Sequence, residues 1–280
     1  MTTIDRAHLK KLIASEEERF LKLHPKSGAL FAQAKEVMPG GVPMSWMAKW
    51  PGSYPVFVES AHGAHFTDVD GIEYVDLCLG DTGSMTGHSP APTVAAITEQ
   101  MKHGFTAMLP TADAVTVGKE LTRRFGLPLW QFTVTATDAN RHSLRYCRLI
   151  TGKSKIIVID KCYHGSVDET FATLDSAGNT VKREGNLGAP VDLDQTTRVV
   201  EFNDLAAMEA ALAKGDVAAI LMEPAMTNIG IVLPDDGYLN AVGELAKKYG
   251  AMWIIDETHT ISVGAGGMTA LYGQIGRAHV

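Results

Sequence analysis

From residue 87 onward, short apolar runs alternate with stretches whose apolar residues recur at helical spacing, and few folds accommodate that order. The runs at 131–135, 155–159, 217–222 and 251–255 read as strands; 91–103, 112–125, 139–151, 205–214 and 238–249 read as helices. Strands separated by helices pair in parallel through crossovers, which predicts an α/β domain with a mostly parallel sheet flanked by helices. The run Met252-Trp253-Ile254-Ile255 is apolar at every position, as a strand covered on both faces requires. It ends in Asp256-Glu257, so a carboxylate arrives at the carboxyl edge of the sheet, where open α/β folds bind ligands.

The first 86 residues have a different texture. Apolar positions among Glu and Lys predict an amphipathic helix over 5–23. Pro and Gly break all regularity over 39–55, a stretch that also holds Trp46, Trp50 and Tyr54. Short strands are predicted at 56–59, 64–67 and 73–76, with Asp70-Gly71 turning between the last two. The expected division is an N-terminal segment with part of a small α+β domain (1–86), a large domain (87–273) and a short tail (274–280). Gly, Asp, Asn and Thr over 174–197 predict a long surface loop.

Composition narrows the function classes. With 280 residues, 45% of them apolar, there is material for a sizeable core, yet no run reaches the ~20 apolar residues that span a bilayer. A net charge of -7, with no basic cluster beyond Arg123-Arg124 and Lys247-Lys248, argues against nucleic acid and for small molecules. Cys78, Cys147 and Cys162 are odd in number and lack metal-ligand spacing, which implies a reducing compartment and no metal site. The polar start is unlike a secretory signal, so a cytoplasmic location is expected.

Four places carry candidate chemistry, each with a plainer alternative. Asp256 suits the protonated ring nitrogen of a cofactor such as pyridoxal phosphate (PLP), or it caps the following turn. The turn Thr135-Ala136-Thr137, continuing into Asp138-Ala139-Asn140, offers backbone N–H groups and the Thr137 hydroxyl to a phosphate, or simply caps a helix. Tyr163-His164-Gly165 follows a strand and supplies a flat ring stacker or a core tyrosine. Glu223-Pro224 ends another strand, with Asn228 shortly beyond; its carboxylate either hydrogen-bonds near a cofactor or pairs with a buried base.

Phosphate turn, ring stacker, Glu-Pro and strand-borne Asp-Glu occur here in an order that resembles the class-III aminotransferase family. The likeness extends through Met38-Pro39-Gly40-Gly41-Val42, Asp68-Val69-Asp70-Gly71, Tyr74-Val75-Asp76 and Gly87-His88-Ser89-Pro90. It continues in Thr151-Gly152-Lys153-Ser154-Lys155-Ile156-Ile157, Cys162-Tyr163-His164-Gly165 and Asp256-Glu257-Thr258-His259-Thr260. It covers about 31–273 and lies nearest the glutamate-1-semialdehyde aminomutase branch.

The resemblance implies a PLP enzyme of fold type I, with pyridoxal 5'-phosphate as cofactor and a small domain built from both chain ends. Thr135, Ala136 and Thr137 fall on the phosphate cup, where the family usually has Ser-Gly-Thr. Tyr163 with His164 falls on the ring stacker, Asp256 on the pyridinium partner, and Glu223 and Asn228 on positions lining the site. Thr258 stands where a valine behind the ring is usual. The implied activity is amino transfer from a small-molecule donor to a carbonyl acceptor, by a homodimer. An aminomutase is the alternative, but in the stretch after Pro-Gly-Gly-Val the Arg of that branch is replaced by Met47. Trp46 and Trp50 become pocket walls or interface packing.

The family's Schiff-base lysine lies beyond the Asp-Glu motif, and no Lys follows Lys248. The chain is therefore expected to be a C-terminally truncated fragment, inactive alone; a non-catalytic PLP-fold module is the alternative from another class. Residues 275–280 can be encoded by a common sequencing adapter, so 274–280 is expected to be a non-native tail rather than a genuine terminus.

Overall fold

The first helix begins where its sequence says it should: Asp5 Oδ1 accepts the N–H groups of Ala7 and His8, both at 3.0 Å, capping α1 (Arg6–Leu23). The structure is a computed structural model that describes residues 4–49, 51–105, 108–188, 191–273 and 278–279. It separates into two compact units, Met1–Met108 and Leu109–Val280.

In the first unit α1 is followed at once by α2 (Pro25–Val37), a helix the sequence reading missed. Pro25 at its first position gives up an N–H that would be unpaired anyway. An antiparallel meander of β1 (Val58–His62), β2 (His65–Asp68) and β3 (Glu73–Val75) comes next. Its Asp70-Gly71 turn forms because Asp68 Oδ1 accepts the N–H groups of Asp70 and Ile72 at 3.0 and 2.9 Å. Asp70 in turn accepts the N–H groups of Lys26 and Ser27 at the start of α2, tying helix to meander. Helix α3 (Ala91–Met101) belongs to this unit although it follows the change of texture at 87.

The second unit runs α4 (Ala112–Phe125), α5 (Ala136–Thr151), β4 (Lys155–Ile159), β5 (Ala172–Leu174), β6 (Thr180–Lys182), β7 (Thr197–Val200), α6 (Leu205–Leu212), β8 (Val217–Met222), α7 (Tyr238–Lys248), β9 (Met252–Ile255), α8 (Gly267–Leu271) and β10 (Ala278–His279). Five strands form one sheet in the order β10-β9-β8-β4-β7, every neighbouring pair parallel. This is the α/β architecture expected from the sequence. Every residue of β8 is buried, because the strand is central and covered on both faces. Leu144 and Cys147 of α5 and Leu239, Val242 and Ala246 of α7 belong to the same core.

Two expectations fail for identifiable reasons. Residues 131–135 form no strand: among the described residues nothing pairs with them, and Val134 is 96% exposed. Thr135 instead caps α5, which starts three residues earlier than expected. The supposed loop over 174–197 fails in its first part, where 174–182 complete the hairpin β5–β6, whose turn forms as Asp175 Oδ1 accepts the N–H groups of Ala177 and Asn179; the described residues of 183–196 form no strand. Asp175, Gly178 and Asn179 there encode a tight turn. Strand β7 was also missed. Of the expected tail, residues 274–277 and 280 lie outside the described residues, as does Trp50.

Register then sets the site. Met222 pairs with Ile255, and the Asp256 N–H donates to the Met222 carbonyl at 2.9 Å, so Glu223 and Asp256 emerge side by side. Asp160 likewise follows the last residue of β4. Three adjacent strands thus end in acidic side chains, all buried. Among the described residues no helix is long and apolar enough to cross a membrane, and no group of three His, Cys, Asp or Glu side chains is placed to hold a metal ion.

Candidate active site

The three carboxylates at this edge have different partners. Asp160 accepts the Thr173 hydroxyl at 2.6 Å and the Leu174 N–H at 3.0 Å, which anchors β5 and gives it a structural task. Glu223 Oε2 accepts the Thr227 hydroxyl at 2.5 Å and its N–H at 3.2 Å. Thr227 Oγ1 also lies 2.6 Å from His259 Nδ1, so Glu223, Thr227 and His259 form one chain of hydrogen bonds. Glu223 Oε1 is buried and has no hydrogen-bond partner among the described residues.

Asp256, only 3% exposed, meets four donors. Oδ2 accepts from Asn140 Nδ2 at 2.9 Å and faces His164 Nδ1 at 2.8 Å. Oδ1 accepts the Thr258 N–H at 3.0 Å and its hydroxyl at 2.6 Å. Burial favours the neutral acid, but the hydrogen bond and charge of His164, aided by Thr258 and Asn140, outweigh it and hold the carboxyl far below the usual carboxylate range. Burial likewise disfavours a charged His164, yet the Cys162 sulfur and the Asp256 carboxylate raise its pKa to about 10. At neutral pH the pair is a buried imidazolium and carboxylate.

Helix α5 delivers Asn140 to this pair. Thr135, its N-cap, accepts the Asp138 N–H at 3.1 Å. Thr137 Oγ1 accepts the Ser166 N–H at 3.0 Å, which draws the loop after β4 onto the first turn of the helix. Gly165 makes that approach possible: its φ is +75°, and a Cβ there would run into the Thr137 hydroxyl. Asn140 Nδ2 also donates to the His164 carbonyl at 3.2 Å. Helix start, loop and strand end thereby converge on one carboxylate.

Of the residues expected from sequence, Thr137, His164, Asp256 and Thr258 are joined by these contacts or by the loop they hold. Thr135 and Ala136 open the helix that carries Asn140. Tyr163, 43% exposed, precedes His164, and Glu223 neighbours Asp256 across the sheet. Asn228 is exposed and donates to the Lys161 carbonyl at 3.4 Å. Trp46 and Met47 lie in a short turn, Ser45–Lys49, of the first unit, with Trp46 half exposed. Sequence reasoning missed Asn140, Thr227 and His259 as site residues. Asn140 had a signal, since three residues after Thr137 it shares a helical face otherwise continued by the buried Leu144 and Cys147.

The first turns of α5 thus meet a buried carboxylate at the carboxyl end of a parallel sheet, the edge at which open α/β folds bind ligands. Residues 46–273 match the aminotransferase class-III family, and the chain belongs to it. It is 36% identical over 248 residues to the glutamate-1-semialdehyde 2,1-aminomutase of Methanothrix thermoacetophila, covering 88% of this chain and 57% of that protein. It is 48% identical to a glutamate-1-semialdehyde aminomutase from Pseudomonas aeruginosa PAO1, with a TM-score of 0.93 over 97% of this chain and 60% of that one. A lysine-to-alanine variant of the Pseudomonas protein has been solved in complex with PMP. A transaminase with PLP bound is 32% identical, with a TM-score of 0.79 over 89% of this chain and 59% of that one. The chain spans a little under 60% of the curated relative's length.

Proposed function

We propose that the full-length protein binds pyridoxal 5'-phosphate at this sheet edge and transfers an amino group from an amine or amino acid to a keto or aldehyde acceptor. The observation that carries the reading is Asp256, a nearly inaccessible carboxylate kept ionised at the end of β9. A protonated ring nitrogen fits that partner. The unpaired, buried Glu223 Oε1 is an acceptor that a bound group can satisfy. When bound, the cofactor supplies an electron sink.

The chain's own residues do the rest. Asp256 keeps the proton on the ring nitrogen, and His164 and Asn140 hold the carboxylate in place. Tyr163 offers a flat face to the ring. Thr135, Ala136 and Thr137 would hold the phosphate at the start of α5. Glu223 and Asn228 line the site. We keep Trp46, Met47 and Trp50 as substrate-facing candidates on the family resemblance alone. The lysine that anchors the cofactor is not among residues 249–280, so this 280-residue chain is proposed to be inactive by itself. A homodimer in the cytoplasm completes the reading; three free cysteines accord with a reducing compartment.

A second reading, an aminomutase that moves an amino group within one molecule, is favoured by the names of the relatives at 36% and 48% identity. The full-length, PLP-loaded protein separates the two. Consumption of pyruvate or 2-oxoglutarate with an amine donor supports transfer. Isomerisation of glutamate-1-semialdehyde without keto-acid consumption supports the mutase, and neither activity overturns both.

A further inference from the structure

The four donors around Asp256 are not equivalent. A carboxylate has about four lone-pair sites, and Asn140, His164, the Thr258 N–H and the Thr258 hydroxyl already occupy that number. A ring nitrogen that arrives as a fifth donor needs one of them to yield. Asn140 and His164 are almost completely buried, and Asn140 is also bonded to the His164 carbonyl. The Thr258 N–H is fixed by the backbone. Of the three donating side chains only that of Thr258 belongs to an exposed residue, and its hydroxyl turns about a single bond.

We propose that Thr258 is a positioning residue whose hydroxyl bonds Asp256 Oδ1 and must swing away when the ring nitrogen takes that oxygen. The inference rests on the assignment of Asp256 to the ring nitrogen. Its consequence is a standing competition: the Thr258 hydroxyl and the ring nitrogen claim the same oxygen, which weakens cofactor uptake. Removing the hydroxyl while keeping the shape, as in Thr258→Val, frees the oxygen in advance.

The test is titration of the full-length protein with PLP, followed by absorbance and by quenching of protein fluorescence. Thr258→Val is expected to tighten PLP binding about 2- to 10-fold, the range of one net hydrogen bond. Thr258→Ser, which keeps the hydroxyl, is expected to bind like the parent, and Thr258→Ala more tightly than Thr258→Ser. With 1-deaza-PLP, whose ring carries C–H in place of the nitrogen, the valine advantage should vanish. Unchanged or weaker PLP binding by Thr258→Val overturns the proposal, as does an equal gain with 1-deaza-PLP, which would point to packing. A parent protein that takes up no PLP overturns the functional reading and this inference together.

Discussion

Asp256 and Glu257 are consecutive, acidic and almost equally buried, yet their surroundings drive them in opposite directions. Asp256 points into the junction of α5 with the loop after β4, where the His164 imidazolium and two neutral side chains keep it ionised. Glu257 points to α8, where it accepts the N–H groups of Met268 and Thr269, both at 2.8 Å, and the hydroxyls of Thr260 and Thr269. Burial raises the Glu257 pKa, and those neutral donors only partly offset it. A cationic partner therefore separates a carboxylate held ionised from one that anchors the start of a helix.

The sharpest way to break the comparison is Asp256→Ala in the full-length protein. It should lower turnover by on the order of 10²- to 10³-fold, as loss of a key electrostatic partner does. Urea unfolding should show a loss of about 3–5 kcal/mol, because the His164 imidazolium is left buried without its counter-charge. A mild effect on both would place Asp256 with Glu257 as a purely structural acid.

A smaller loss is expected when the pair is only discharged. The raised pKa of His164 stabilises the fold fully below its ordinary 6.5 and less as pH climbs toward about 10. The depressed pKa of Asp256 contributes above its ordinary 3.8 and is lost in acid. For this pair stability is greatest between those two ordinary values and declines on the alkaline side. Melting temperatures measured from pH 6.5 to 10 should fall less steeply in His164→Gln than in the parent. Parallel curves would show that the pair does not titrate as described.

Glu257→Ala should cost about 1–3 kcal/mol in urea unfolding, since four buried donors lose their acceptor. PLP affinity should stay unchanged; a loss as large as that of Asp256→Ala would erase the distinction. Thr137→Val removes one acceptor from the Ser166 N–H and should cost about 1 kcal/mol by the same measurement.

The parallel sheet was legible because β8 and β9, and β4 after Lys155, are continuous apolar runs, as strands covered on both faces require. Asp256 was legible as the residue ending one of them. Its cage was not, because Asn140 and His164 are separated from it by 116 and 92 residues and reach it only through strand register and the Thr137–Ser166 contact. Residues 131–135 misled because the pattern of a strand carries no information on whether a neighbour is available to pair. The chain Glu223, Thr227 and His259 escaped for the same reason as the cage: two strand ends had to be brought side by side first.

The central claim, that Asp256 is the partner of a protonated cofactor ring, is tested most directly by nitrogen NMR of the full-length protein loaded with PLP labelled with ¹⁵N in the ring. The ring nitrogen should be protonated at neutral pH in the parent and lose that proton in Asp256→Ala. An unprotonated nitrogen in the parent, or a protonated one that ignores the substitution, would contradict the assignment.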